Sequence, residues 1–366
     1  MDVLNRAPPL FDRFATIHPA VAALLLGAAV LLMMVGLLGA GAPGPPGPRP
    51  GHDDVDLYAH FVDYARHPAT FYAASIAEQR REHYPLRPAI TVRPPALAFF
   101  LTAFPDWRAR RLAFQALVIV VMTAWGGRLA QLGLRPMVFA VALLAAGSGI
   151  LAGLWGRVYL SHEGWTGLLI ALSLALHRPK AWAASLALGL AAVLVRELAA
   201  PYLLVMALFA WIEGRRGEAS AWLIALAAFA AALAGHAWAV SRYVLPGDLS
   251  SPGWLSLGGW PFVLQTGRWN ILPMIGPGWL SAVLAPLALL GAIAWPGPTG
   301  ARLGLTVVGF TAAFLFVGRP DNAYWGLMTT PLVALGLAMA PSAIFGLVRR
   351  LAPTAGRTGL APTLSA

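Results

Sequence analysis

Long apolar runs alternate with short polar ones along most of this chain. Pro19 to Gly41 is the first run, roughly twenty apolar residues and long enough to cross a bilayer as a helix. Further runs fall at Leu112–Trp125, Met137–Leu154, Gly164–Leu176, Ala181–Val195, Leu198–Ile212, Ala221–Tyr243, Pro273–Trp295, Leu303–Val317 and Trp325–Ala340. The pattern predicts an all-α fold, a polytopic transmembrane bundle of about ten spans. The exception to the rhythm is the long polar stretch Gly51–Pro95. Within it, His52 to His67 reads as an amphipathic helix. Asp53, Asp56, His60, Asp63 and His67 recur at spacings of three and four and share one face, with Val55, Tyr58, Val62 and Ala65 on another. Ala96–Phe104 is apolar but too short to span, which suits an interfacial helix. GAPGPPGPRPG, before the polar stretch, is too rich in Pro and Gly to be helical.

Composition strengthens this picture. The chain has 366 residues, 58% hydrophobic and only 11% charged. A soluble domain carries roughly a quarter charged residues, so lipid must solvate much of this one. There is no cysteine, which excludes disulfide and thiolate chemistry. The net charge of +11 comes almost wholly from arginine, Lys180 being the only lysine. These arginines are spread over many loops, which argues against a nucleic-acid partner. Guanidinium groups grip phosphate bidentately, so membrane lipid or a phosphate-bearing substrate suits them better.

The basic residues also set an orientation. Arg6, Arg13, Arg128, Arg135, Arg178, Lys180, Arg215, Arg216, Arg302, Arg349, Arg350 and Arg357 fall in alternate segments, and fewer fall in the others. The positive-inside rule then places both termini in the cytoplasm and the polar stretch outside. The expected division is a cytoplasmic N-terminus at 1–18, a membrane domain at 19–340 with an outside loop at 42–111, and a cytoplasmic tail at 341–366. Trp254, Trp260, Trp269 and Trp279 read as an interfacial aromatic belt, with stacking on a sugar ring as the alternative.

Candidate chemistry sits at the outer ends of the runs. Asp54-Val55-Asp56-Leu57-Tyr58 follows the first run. Arg93-Pro94-Pro95-Ala96-Leu97 precedes the second. Ser161-His162-Glu163 opens the fourth, Arg196-Glu197 with Pro201 the sixth, and Arg319 with Tyr324 the last. In this order the motifs resemble those of the glycosyltransferase C superfamily, integral membrane enzymes that take a sugar from a polyprenyl-phosphate carrier. The resemblance covers roughly the first 210 residues well and the rest loosely. One departure is that Asp53-Asp54 stands where the family often has Asp followed by Glu.

The resemblance implies transfer of a sugar from a polyprenyl-phosphate donor to a lipid, glycan or protein acceptor, on the outer face of a bacterial-type inner membrane. Asp54 is then the base that takes the acceptor's proton, with Asp53 in reserve, and direct displacement inverts the anomeric centre. Arg93 and Arg196, followed by Arg319 and Arg157, are the candidate phosphate ligands. Tyr58, Glu163 and Glu197 join them as substrate-binding candidates. The resemblance fixes no cofactor. A divalent cation held by Asp54 and Asp56 is an open alternative, since D-x-D spacing suits one. The competing classes are a transporter or flippase and a non-catalytic membrane subunit. Transporters place charges in mid-span, whereas here ionisable residues gather at run ends. His236 is the exception, and a satisfied packing histidine is the simpler account of it.

Overall fold

The apolar runs all fold as helices because in lipid a helix satisfies every backbone polar group within one segment. The computed structural model describes Phe14, residues 17–39 and residues 54–352. Among these residues the fold is all-helical, and extended pairing is confined to isolated bridges such as Leu255 with Val317. The helices are α1 (Pro19–Gly39), α2 (Asp54–Tyr64), α3 (Phe71–Arg81), α4 (Ala96–Thr102), α5 (Trp107–Ala130), α6 (Pro136–Ile150), α7 (His162–Leu176) and α8 (Ala183–Val195). They continue as α9 (Ala200–Ile212), α10 (Arg216–Ser241), α11 (Gly259–Gly267), α12 (Ile271–Ile275), α13 (Leu280–Ala294), α14 (Gly297–Phe316) and α15 (Gly326–Leu351).

Six helical segments are long and apolar enough to cross a membrane: Pro19–Gly39, Trp107–Ala130, Pro136–Leu154, Arg216–Ser241, Gly297–Phe316 and Pro320–Leu351. Shorter apolar helical segments cover Ala89–Thr102, Ala183–Val195, Glu197–Ile212 and Leu280–Ala294. Large apolar side chains project outward from the long helices, among them Leu31 and Leu38 on α1, Ile119 on α5, Leu144 on α6 and Ile224 on α10. Leu38 is 82% exposed, which suits a lipid-facing surface and not an aqueous one. The structure therefore describes an integral membrane protein.

Several helices outrun the apolar runs that predict them, as Trp107–Ala130 does Leu112–Trp125, and two differences change the architecture. The run Pro273–Trp295 divides into α12 and α13, because Gly276-Pro277-Gly278 interrupts the ladder between them. The last helix continues past Ala340 to Leu351, carrying Pro341 inside it. Helix ends follow ordinary capping. Asp106 accepts the backbone N–H of Ala109 at the start of α5 (2.9 Å), and the Ser161 hydroxyl accepts that of Gly164 at the start of α7 (3.0 Å).

Helix α15 is the spine. It packs against α13, α6, α7 and α1. Its tightest contact is with α13, where a Cβ built on Gly336 would lie 2.2 Å from the Ala288 carbonyl oxygen. One built on Gly291 would lie 1.9 Å from the Gly336 oxygen. Only glycine permits backbones to meet at that range.

Short connections mark one end of the bundle and long ones the other. At the tight end, Arg350 near the end of α15 donates to the Ile17 carbonyl just before α1 (2.7 Å), and Arg128 near the end of α5 donates to the Ala175 carbonyl (2.8 Å) and the His177 carbonyl (2.5 Å). The loop end carries α2, α3, α4 and residues 244–279. Its segments are clipped together by backbone bonds, from Leu86 to the Leu249 carbonyl (2.9 Å), from Ser251 to that of Arg87 (2.7 Å) and from Gly318 to that of Trp254 (2.7 Å). The amphipathic reading of α2 matches its packing: Leu57, Tyr58, Phe61 and Val62 are buried, while Asp56, His60 and Asp63 face outward. Of the tryptophans, Trp260 donates to the Leu32 carbonyl of α1 (3.0 Å) and is buried, whereas Trp279 stays exposed, so the four do not form one belt.

Candidate functional site

At the loop end, five separate segments send polar side chains to one place. Tyr58 comes from α2 and Arg93 from the stretch before α4. His162 and Glu163 open α7. Arg196 and Glu197 occupy the break between α8 and α9. Tyr324 and Trp325 end the turn Pro320–Trp325 that leads into α15.

Each is placed by local structure. Val195 closes α8, and Arg196 turns extended (φ −145°), so the arginine and glutamate fall in a gap between two helices. Ser161 caps α7, which fixes Glu163 in its first turn, where the positive helix end favours a carboxylate. Pro94 and Pro95 hold Arg93 outside any helix.

The contacts are specific. Arg93 donates through Nε to the Tyr58 hydroxyl (3.0 Å) and through Nη2 to the Tyr324 hydroxyl (2.9 Å). Its Nη2 also lies 3.8 Å from Glu163 Oε1. Arg196 Nε is 2.7 Å from the same Glu163 oxygen, and its Nη1 donates to Glu197. The Arg196 guanidinium lies over the Trp325 ring, 5.9 Å from its centroid, and Tyr58 meets the His162 ring edge to face at 4.8 Å. Glu163 is 0% exposed, Trp325 2% and Arg196 3%.

Two arginines and two glutamates balance formally, yet hydrogen bonding is incomplete. Both Glu163 oxygens, Glu197 Oε2, His162 Nδ1 and Trp325 Nε1 are buried without a well-aligned hydrogen-bond partner. Glu163 Oε1 keeps its close ion pair with Arg196, but the angle is poor. Buried unmatched donors and acceptors of this density are costly unless something polar joins them. Burial first, then Arg93 and Arg196, holds the His162 imidazole well below its ordinary range, so it sits there neutral. Burial likewise raises the Tyr58 phenol well above its usual value.

Asp54 lies at the rim. It is half-buried, one helical turn before Tyr58 on the same face of α2, and close enough to interact electrostatically with Tyr58 and Tyr324. Its Oδ1 accepts from the Tyr84 hydroxyl at 2.8 Å. Of the other residues singled out from the sequence, Asp53 lies outside the described residues. Arg157 forms an exposed ion pair with Asp56. That pair occupies the Asp56 carboxylate, and among the described residues no group of three metal-ligating side chains gathers. Arg319 is engaged within the loops. It holds Asp321 with two bonds (3.0 and 3.1 Å), the Gly253 carbonyl (2.9 Å) and the Ser251 hydroxyl (3.2 Å), which makes it a staple between loops. Tyr324, from the same motif, is the residue that reaches the cluster. Trp325 was not singled out for this role; its place directly after Tyr324 was the available signal. His236 is satisfied, as expected of a packing histidine: its Nε2 lies 3.0 Å from the Val92 carbonyl and its Nδ1 3.0 Å from the Tyr72 hydroxyl.

A second buried polar cluster sits at the tight end, about 20 Å away along α7 by helical rise. Glu213 accepts from Arg302 at 2.6 and 3.0 Å and pairs with Arg215. Glu218 accepts from Arg215 at 2.6 Å and lies 2.8 Å from His177 Nε2. Every carboxylate oxygen here has a partner, and Arg302 is 0% exposed.

No protein-family model, no characterised protein and no solved structure matches the chain.

Proposed function

We propose that the chain is a membrane glycosyltransferase of the glycosyltransferase C type. It moves a sugar from a polyprenyl-phosphate donor to a lipid, glycan or protein acceptor at the loop end. In this reading ten helices cross the bilayer: α1, α5 to α10 and α13 to α15, with α7 crossing from Gly164. Both termini are cytoplasmic, and the loop end faces outward from a bacterial-type inner membrane. One observation carries the proposal. A half-buried carboxylate, Asp54, stands over a buried cluster whose donors and acceptors are incompletely paired.

In the mechanism, Asp54 takes the proton of the acceptor hydroxyl as its oxygen attacks the anomeric carbon. The bond to the phosphate oxygen breaks and its electron pair leaves with the polyprenyl phosphate, inverting the centre. Arg93 suits the departing phosphate better than Arg196 does. Its hydrogen bonds go to two neutral hydroxyls, which an anion can replace, whereas Arg196 already faces two carboxylates. Glu163 and Glu197 then hold Arg196 and offer acceptors to sugar hydroxyls. Asp54→Asn tests the reading: sugar transfer from a polyprenyl-phosphate donor in proteoliposomes is expected to fall by about 10²–10⁴-fold. Full transfer in that variant rejects it. A transporter is the second reading, favoured by the buried ion pair in the break between α8 and α9; it requires flux that survives Asp54→Asn.

A further inference from the structure

We propose that Tyr84 is a positioning residue for Asp54, holding one carboxylate oxygen so that the other is presented to the acceptor. The inference rests on the proposed role of Asp54 as base. Asp54 is the first residue of α2, so its carboxylate lies in the first helical turn, where the positive helix end favours it. Its Oδ1 is engaged from a different segment, by the Tyr84 hydroxyl at 2.8 Å. A phenol has one proton to give, and this one is given to Oδ1, leaving Oδ2 as the oxygen that can take a proton in the reaction.

Tyr84 is itself held by the end of α3. Its backbone N–H donates to the Gln79 carbonyl (2.8 Å), and His83 before it takes a left-handed conformation (φ 56°) to make that turn. Helix α3 is tied in turn to the far end of α10 and the segment after it. Tyr72 meets His236 at 3.0 Å, and Arg80 grips Asp248 at 2.6 and 2.8 Å. The hydroxyl therefore reaches Asp54 from a braced support, and the carboxylate is fixed before substrate arrives. The proton leaves the acceptor O–H for Asp54 Oδ2, the acceptor oxygen bonds the anomeric carbon, and the pair from the broken carbon–oxygen bond departs on the phosphate. Asp54 later returns its proton to water.

The test uses the full chain in nanodiscs. Carboxyl labelling with a water-soluble carbodiimide and glycinamide at one fixed pH, followed by peptide mass spectrometry, reports how freely the Asp54 carboxylate reacts without any substrate. Tyr84→Phe removes the hydrogen bond that holds Oδ1, so the labelling rate of Asp54 is expected to rise about fivefold. Tyr64→Phe, which removes a comparable hydroxyl from Glu78, is expected to leave that rate in place. In the transfer assay Tyr84→Phe is expected to lower kcat about tenfold with donor KM unchanged, and to have no added effect on top of Asp54→Asn. An unchanged Asp54 labelling rate in Tyr84→Phe overturns the inference and leaves the proposed function standing. Undiminished transfer in Asp54→Asn removes that function, and the inference falls with it.

Discussion

The two buried polar clusters contain similar residues and differ in how completely they are paired. At the tight end Glu213 and Glu218 have every oxygen matched, and the orphaned atoms are single N–H groups of Arg215 and Arg302. At the loop end the orphans include both oxygens of Glu163, one of Glu197, an imidazole nitrogen and an indole N–H. Carboxylates whose oxygens are all matched have no acceptor left for a ligand and serve to fasten helix ends. A cluster with unmatched carboxylate oxygens pays a standing energetic cost that a polar ligand can relieve. Charge content alone does not separate the two; the pattern of unmet hydrogen bonds does.

The contrast can be broken most directly by one substitution at each end. Asp54→Asn at the loop end is expected to abolish transfer while the thermal midpoint in nanodiscs stays put. Glu213→Ala at the tight end leaves the fully buried Arg302 without its carboxylate and is expected to cost about 3 kcal/mol of stability. Transfer per folded molecule should be retained. The reverse outcome, an inactive but stable Glu213→Ala, would assign chemistry to the wrong end.

Glu163→Gln is a subtler probe. Arg196 keeps Glu197, so the stability loss is expected near 1 kcal/mol, against a fall in transfer of tenfold or more. A large loss of stability with normal turnover would make this cluster a second fastener.

Titration sharpens the comparison further. Burial first, against the favourable bond to Glu218 and with Arg302 opposing charge, lowers the His177 imidazole below its ordinary value. The unfolded chain then binds a proton at a higher pH than the folded one. Stability is fully present above about pH 6.5 and falls as pH drops from there toward the folded-state value. His177→Gln is expected to remove this part of the acid sensitivity in melting curves and to leave the part due to His162. The smallest expected effect is at Arg80→Ala. Arg80 holds the Asp248 carboxyl down to about 2, but the arginine is exposed enough for water to screen the pair. Faster hydrogen exchange at residues 245–250 should report the loss, with little change in melting.

Much of this was legible from the chain. Apolar length gave the helices, and the order of Asp54, Arg93, Glu163, Arg196 and Tyr324 along alternate run ends foretold that one end of the bundle would collect them. The break at Gly276-Pro277 was written in residues that stop helices, yet flanking apolarity masked it. Arg319 is less legible, because an arginine beside Asp321 can face either a ligand or its neighbour, and only the fold shows that it holds its neighbour. The tight-end network escaped notice for a different reason. His177, the Glu213 to Glu218 segment and Arg302 are far apart in sequence, each charge looks like an ordinary loop charge, and their meeting depends on four helix ends sharing one face of the bundle.

The glycine seam between α13 and α15 limits how the protein can work. With Gly336 against the Ala288 carbonyl and Gly291 against the Gly336 carbonyl, the two helices have no slack in which to slide or rotate. The seam is a keel, and the loop-end pieces, α2 and the turn that bears Tyr84, are rigged to the bundle and to each other by several ties.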